Sequence, residues 1–204
     1  MSTKRNSDDL LLGEWACLGL LYAVPSHGFA IAAQLRPDAE VGRVWSLSRP
    51  LTYRSLDQLV DRGLVRPLGS EPGDAGPNRT ILAATRTGRA RLRTWLRSPV
   101  EHLRDLRSEL LLKIVIADRC GIAIDDMLRA QRGRLEAHRS SLSDVAFDAD
   151  DAVVDTVALW RFEASQAGLR FLDQLADAVD RQVVTPSADV RVGTSRGRRQ
   201  SPTA

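Results

Sequence analysis

The chain has 204 residues, of which 43% are hydrophobic, 27% charged and 5% aromatic. This composition excludes wholesale disorder and a fibrous or low-complexity polymer, and it predicts a globular chain with a packed core and one or two small domains. The net charge of +3 is the sum of 29 basic and 26 acidic side chains, which are unevenly distributed.

Basic and acidic residues separate along the chain. Residues 1–100 carry 14 basic and 9 acidic side chains, residues 101–182 carry 11 and 16, and residues 183–204 carry 4 and 1. A basic N-terminal part suits a polyanion such as nucleic acid, whereas an acidic part is better suited to self-association. All but two of the basic residues are arginine, and a biased genome composition explains that excess more simply than selection for phosphate or guanine contacts.

The apolar run over residues 10–24 predicts a first helix inside the core. It is shorter than the roughly 20 residues that a membrane span needs, and Gly13 and Glu14 interrupt it. Asp8 or Asp9 is expected to cap this helix. With no secretion signal expected and with two isolated cysteines expected to stay reduced, the predicted location is cytoplasmic.

Two more helices are predicted before residue 64. Ser26 is expected to cap the second helix, whose inward side should hold Phe29, Ala32, Ala33 and Leu35. The third helix is expected to begin at Ser46 or Ser48, to place Pro50 in its first turn and to end at Gly63. These helices are joined by short connections.

A β-hairpin and a fourth helix are predicted next. Residues 64–68 and 79–83 are extended in character, and residues 69–78 consist of turn-forming residues that predict a mobile tip. Thr85 is expected to cap the fourth helix, which should end before Pro99. Its expected inward residues are Leu92, Trp95 and Leu96.

Long amphipathic helices without strands are predicted beyond Pro99, over residues 103–119, 125–143 and 150–183. Apolar residues recur at heptad spacing in the last two, which is typical of helices that pair with other helices. These residues are Leu128, Leu135 and Leu142, then Val157, Ala164 and Phe171, with Trp160 on the adjoining seam. From residue 185 onward the composition predicts a disordered tail.

The outer face of the third helix is chemically suited to reading DNA. Arg54 can fork onto guanine O6 and N7, Gln58 can pair with adenine N6 and N7, and Leu51 can contact a thymine methyl group. Ser48 and Arg49 stand at the helix N-terminus, where free N–H groups favour a phosphate. The alternative is a solvated face in which nearby aspartates pair with the arginines.

Several short motifs resemble the N-terminal winged helix-turn-helix of PadR-type transcriptional regulators. In order they are LGLL at residues 18–21, PSHGF at 25–29, VWSLSRP at 44–50, YRSL at 53–56, GLV at 63–65 and TRTGR at 85–89. The resemblance covers roughly residues 10–97, and residues 103–182 fit the helical C-terminal region of that family by pattern only. It implies a dimeric repressor of double-stranded operator DNA, in many members released by a small molecule, with the ligand pocket near the dimer interface. Separately, no cofactor and no metal are expected.

The expected fold class is therefore mainly α. It comprises a winged helix-turn-helix domain of three helices, a β-hairpin wing and a fourth helix over residues 8–99, then a helical dimerisation and possible effector domain over residues 100–183. Residues 184–204 form the expected tail.

The candidate site residues fall into three sets. Those expected to bind DNA are Ser48, Arg49, Pro50, Thr52, Tyr53, Arg54, Gln58 and, on the wing, Arg79. Those expected at the dimer interface are Leu110, Ile114, Val157, Trp160, Ala164 and Phe171. Those expected to line an effector pocket are Trp95, Trp160 and Phe162, although aromatic residues on long helices more often serve the core.

Two other classes of function remain open. The winged unit can be a protein-interaction module that never binds DNA, while the acidic helices dimerise. An enzyme with a site at the dimer seam, near Trp160 and His138, ranks last because the sequence holds no motif of a nucleophile, a metal site or a phosphate loop. His27, His102 and His138 also lack the spacing of metal ligands. The chain is therefore not expected to be an enzyme.

Overall fold

The computed structural model of the chain describes residues 9–73, 76–146 and 155–184. The elements in chain order are α1 (Leu12–Ala23), β1 (Ser26–His27), α2 (Gly28–Gln34), α3 (Arg49–Asp61), β2 (Val65–Gly73), β3 (Gly76–Ala84), α4 (Arg86–Arg97), a 3-10 turn (Leu103–Asp105), a π-helical turn (Leu106–Leu110), α5 (Leu111–Cys120), α6 (Asp125–Ala146) and α7 (Thr156–Val184). This order confirms the mainly α fold class, with three helices, a hairpin and a fourth helix preceding the helical C-terminal part. The predicted cap at Asp8 and, apart from Val184, the predicted tail lie outside the described residues.

Helix α1 begins later than predicted and has a different cap. Its N-cap is Leu11, whose backbone N–H donates to Glu14 Oε2 at 2.8 Å. A carboxylate inside the first turn therefore satisfies a backbone donor at the helix start and also faces the positive end of the helix dipole. The prediction that Asp9 caps this helix is wrong.

The start of α2 also differs from the prediction. His27 is the N-cap, because its Nδ1 accepts a hydrogen bond from the Ala30 N–H at 3.1 Å. Ser26 instead pairs with Leu82 in the sheet. Ile31, Ala32 and Leu35 are buried, whereas Phe29 and Ala33 are exposed, so the predicted inward side is wrong for those two residues.

Helix α3 starts and ends as predicted. Ser48 is its N-cap, Pro50 lies in the first turn, and Gly63 follows the C-cap with φ +65°. That left-handed conformation favours glycine because it strains any residue that carries a Cβ.

The described strands form one antiparallel sheet in the order β1-β3-β2. The hairpin strands reach further than predicted, because Glu71 still pairs with Arg79 and Gly73 with Gly76. Only residues 74 and 75 of the predicted turn segment lie outside the described part. Strand β2 is an edge strand, which accommodates Pro67, and its register shifts between Pro67 and Gly69.

A compact junction holds the end of α3, the hairpin and α4 together. The Thr85 N–H donates to the Leu64 carbonyl oxygen at 2.9 Å, and the Thr85 hydroxyl donates to the Gly63 carbonyl oxygen at 2.8 Å. The same hydroxyl accepts from the Gly88 N–H at 3.1 Å, which confirms the predicted cap of α4. A Cβ at Gly88 would lie 2.1 Å from the Leu64 carbonyl oxygen, so only glycine permits this approach.

Two hydrophobic cores fill the described part of the chain. The larger core joins α1, α2, α3 and α4 with the C-terminal helix α5, through Leu112, Ile116 and Ala117. The second core lies between the π-helical turn, α6 and α7, and its buried members are Val100, Leu110, Met127, Leu135, Leu169 and Leu172. Helix α5 thus packs with the winged unit, and α6 packs with α7.

Membrane-spanning helices are absent from the part of the chain that the structure describes. No helix there is both long enough and apolar enough to cross a bilayer.

The junction predicts opposite effects of two glycine-to-alanine substitutions. Gly88→Ala should lower the free energy of unfolding by about 1–3 kcal/mol, because its methyl group collides with the Leu64 carbonyl. Gly133→Ala, on α6 with open space around its Cα, should raise it by about 0.5–1 kcal/mol. Urea unfolding of the two variants and the parent chain measures both, and a Gly88→Ala variant as stable as the parent would contradict the close approach.

Candidate nucleic-acid interface

Helix α3 presents an exposed N-terminus above a buried inner face. Leu56 and Leu59 are 2% and 0% exposed and anchor the helix in the larger core. Ser48, Arg49 and Pro50 are all exposed at its start. Within the described chain the Ser48 hydroxyl makes no capping hydrogen bond, so the first turn presents free backbone donors, a hydroxyl and a guanidinium together.

Thr52 lies beneath this surface. It is fully buried, and its hydroxyl donates to the Ser48 carbonyl oxygen at 3.0 Å. Its contacts therefore shape the first turn of α3 and leave no atom of its side chain for an external partner.

One flank of α3 packs beside the start of α2. The Arg49 guanidinium carbon lies 5.0 Å from the centre of the Phe29 ring, within the range of a cation–π contact. The Tyr53 ring packs against Gly28, where a Cβ would approach Tyr53 Cε1 to 2.6 Å. Tyr53 keeps 41% of its surface exposed. Sequence reasoning missed the contribution of Phe29, because it assigned that ring to the interior.

The other flank of α3 borders a groove of about 930 Å³. Arg54 and Gln58, the two residues predicted to read bases, line this groove together with Leu51 and Arg62. The opposite wall comes from residues 9–15 at the start of α1. The predicted DNA-binding residues on α3 are thus divided between two flanks, with Arg49 and Tyr53 beside α2 and Arg54 and Gln58 beside the groove.

Stacked tryptophans form one wall of the groove. The rings of Trp15 and Trp95 are parallel within 7°, with centroids 4.7 Å apart. The Trp95 indole N–H donates to Glu109 Oε1 at 3.1 Å. Such stacking and hydrogen bonding hold both rings in fixed positions while leaving their edges at the groove.

A buried lysine, Lys113, lies over the ring of Trp95. Lys113 is 1% exposed. Its Nζ forms an ion pair with Glu109 Oε1 at 2.8 Å and donates a hydrogen bond to the Ser98 carbonyl oxygen at 2.7 Å. The same Nζ lies 5.0 Å from the centre of the Trp95 ring. Burial lowers the pKa of the Lys113 ammonium, and the hydrogen bond to Glu109 opposes that shift. Lys113 and Glu109 together connect the end of α4 to the first residues of α5.

Two nitrogen donors at the groove are buried and lack hydrogen-bond partners among the described residues. They are Trp45 Nε1 and Arg62 Nη1. Arg62 Nη1 lies 4.0 Å from Glu14 Oε2, with which it forms a long ion pair. An unpaired buried donor is costly, and the Glu14 carboxylate lowers that cost for Arg62.

The wing carries two arginines, of which Arg79 is predicted to bind DNA. Arg66 is exposed on β2, and Arg79 is half-buried on β3, directly opposite Glu71 in the register. Arg79 makes further interactions of its own, so its guanidinium is not free.

The predicted dimer residues occupy two different environments. Leu110 is 2% exposed in the second core, and Ile114 packs against the same core. On α7, Val157, Trp160 and Phe171 are 56%, 71% and 36% exposed, and Ala164 is half-buried. Another stripe of α7 faces α6 and consists of Ala158, Ser165, Leu169 and Leu172.

The three predicted effector residues are likewise separated in the structure. Trp95 lines the groove. Trp160 is exposed and Phe162 half-buried on α7, and neither contributes to the groove lining.

The cysteines are poorly suited to nucleophilic chemistry. Burial raises the pKa of the Cys17 thiol to about 12 and that of the Cys120 thiol to about 11, so neither forms a thiolate readily. Across residues 9–73, 76–146 and 155–184, no three His, Cys, Asp or Glu side chains gather closely enough to hold a metal ion. His138, from the enzyme alternative, is an exposed residue on α6.

Comparison with known proteins finds similarity among solved structures. No family model matches the chain. No curated protein matches it either.

Three solved structures illustrate that similarity. PadR of Bacillus subtilis in complex with operator DNA is 18% identical, with 79% of this chain and 96% of that chain covered and a TM-score of 0.41. The protein smu.1604c of Streptococcus mutans UA159 is 19% identical, with 86% and 100% covered and a TM-score of 0.40. The PadR-like transcriptional regulator BC1756 of Bacillus cereus is 16% identical, with 88% and 98% covered and a TM-score of 0.39.

Proposed function

We propose that this chain is a PadR-like DNA-binding transcriptional regulator of the cytoplasm, a homodimeric repressor that binds an inverted-repeat operator and is released by a small molecule. The observation that carries the proposal is the α3 surface. Its first turn is exposed, its inner face is anchored in the larger core, and arginine, tyrosine and glutamine side chains flank it. A helix held in this way, followed by a hairpin, fits the major groove.

The residues of α3 divide into positioning and reading contacts. Ser48, Arg49 and Tyr53 supply donors for phosphate oxygens, which fix the register of the protein on the duplex. Arg54 and Gln58 supply the forked donors and the amide that recognise guanine and adenine edges. Pro50 and Thr52 shape the first turn. Arg79 is assigned to the DNA backbone at the wing.

The outer stripe of α7 is the proposed dimer contact. Val157, Trp160, Ala164 and Phe171 follow the three- and four-residue spacing of a helix seam, and they lie apart from the stripe that α6 covers. A large exposed tryptophan in such a seam is typical of an interface hot spot. Leu110 and Ile114 support this contact from the second core. A two-fold dimer would place two α3 helices in successive major grooves, about 34–36 Å apart.

The groove beside α3 is the proposed effector site. Its aromatic walls suit a planar apolar molecule, and the side chains of Arg54 and Gln58 offer donors to a polar group on it. Since Arg54 and Gln58 also line the groove, an occupant there would hold the same side chains that read bases. Effector and operator then compete for these groups, which provides the coupling that release requires.

Replacing Arg54 tests the DNA-reading role. A preferred duplex is first selected from a randomised pool with the parent protein. Arg54→Ala should then bind it about 5- to 150-fold more weakly, the loss expected for one bidentate base contact. Arg129→Ala, which removes an exposed arginine from α6, is the matched control and should bind as the parent does.

Fluorescence anisotropy at several salt concentrations measures both variants. Affinity should fall steeply with salt through counterion release. If the parent protein binds no duplex even at low salt, the protein-interaction module is the better function. If Arg54→Ala binds as well as the parent, Arg54 is not a base contact.

Replacing Trp160 tests the dimer. Trp160→Glu places a charge in the proposed seam and should raise the dimer dissociation constant by about 30-fold or more, as expected for a hot spot. Arg170→Glu introduces the same side chain outside both apolar stripes of α7 and should leave the dimer intact. Sedimentation velocity over a concentration series measures the effect, and unchanged association of Trp160→Glu would place the dimer contact elsewhere.

Filling the groove covalently tests the effector site. Leu11 is 52% exposed and lies on the wall opposite α3, so Leu11→Cys labelled with N-phenylmaleimide places an aromatic group in the groove. The label is selective because burial suppresses the reactivity of Cys17 and Cys120. Labelled protein should bind the selected duplex about 5- to 150-fold more weakly than unlabelled protein, the usual range of allosteric coupling.

The control for the label is Ala137→Cys, an exposed position on α6 that does not line the groove. Its labelling should leave DNA affinity unchanged. Equal affinity of labelled and unlabelled Leu11→Cys would show that the groove is not coupled to DNA binding.

A further inference from the structure

An exposed aromatic residue that the sequence pattern assigns to the interior lies beside the proposed DNA surface, outside all three sets of candidate site residues. Phe29 is 51% exposed in the first turn of α2, although an aromatic ring gains most from burial. Its ring carries the Arg49 guanidinium at 5.0 Å. Arg49 is the first residue of α3 and is exposed as well. The two side chains therefore meet at the surface, where neither is needed for the core.

The residue before Phe29 makes a matching contact with the same flank of α3. Gly28 has no side chain, and the Tyr53 ring occupies the space that a Cβ would fill, at 2.6 Å from Tyr53 Cε1. The His27 side chain holds this segment in place by accepting the Ala30 N–H. Gly28 and Phe29 thus support two consecutive turns of one flank of α3.

We propose that the Gly28–Phe29 segment positions Arg49 and Tyr53 for their phosphate contacts on DNA. This inference rests on the proposed function. An arginine side chain at a surface loses considerable rotamer freedom when it binds a phosphate. A ring that contacts the guanidinium before DNA binds already restricts the arginine side chain, so less rotamer freedom is lost on binding. Only one face of the guanidinium is needed for the ring, and its charge stays partly solvated. Phe29 acts through Arg49 and is a positioning residue.

A double-mutant cycle separates this role from a direct contact. Phe29→Leu keeps an apolar side chain but removes the ring face, so it should weaken binding to the selected duplex about 2- to 5-fold, the range of an exposed cation–π contact. In the Arg49→Ala background the same substitution should cause no further loss. Phe29→Tyr, which retains the ring face, should recover most of the affinity lost in Phe29→Leu.

The salt dependence of binding gives a second readout. Arg49→Ala removes a phosphate contact and should reduce the slope of log K against log salt by about 0.9. Phe29→Leu should leave the slope unchanged, because the number of phosphate contacts stays the same. A merely structural role of Phe29 would weaken binding equally in both backgrounds, and it would lower the thermal unfolding temperature along with the affinity.

Gly28 and Tyr53 form the second cycle. Gly28→Ala should weaken binding by no more than Tyr53→Ala does, and it should have no effect once Tyr53 is alanine. Full additivity in the Phe29–Arg49 cycle overturns the inference while leaving the proposed function intact. Absence of DNA binding by the parent protein overturns both, so the two failures are distinguishable.

Discussion

The arrangement of the winged unit depends on the Leu64 carbonyl group and its neighbours. This oxygen accepts the Thr85 N–H, and it leaves no space for a Cβ at Gly88. The Thr85 hydroxyl adds a bond to Gly63, the residue that ends α3. Four elements therefore meet at this contact: the end of α3, the start of β2, the end of β3 and the start of α4. This contact helps to set the relative orientation of helix and wing, because Thr85 bonds to the residues that join α3 to β2 and to the first turn of α4.

Helix α3 connects two surfaces of different chemistry. One flank lies on the Gly28–Phe29 segment, and the other borders a groove walled by Trp15 and Trp95. The hydrogen bond from Trp95 to Glu109 connects the wall of this groove to the residues that precede α5. In the proposed regulator, this arrangement would give the phosphate-contacting and base-reading side chains of α3 separate neighbours on its two flanks.

Local signals in the sequence were strong enough to predict several elements. Ser48, Gly63 and Thr85 mark helix ends through their own backbone and side-chain chemistry, so their roles could be predicted without tertiary structure. The inward assignment of Phe29 failed because α2 is short and apolar on nearly every side, so its sequence does not mark the inward face. The contact with Arg49 also involves residues distant in sequence. The groove could not be predicted for the same reason, since its walls come from α1, α3, α4 and the turns before α5, and only folding brings them together.

The irregular edge of the wing has a consequence for solubility. A hairpin that must stay uncovered to reach a partner exposes the outer edge of β2, and a free strand edge can template pairing with another chain. Pro67 removes one backbone donor from this strand, and the register shift before Gly69 interrupts the regular spacing of the others. These two irregularities make the outer edge of β2 a poor template for a strand of another chain, so the wing resists edge-to-edge aggregation without being covered by another element.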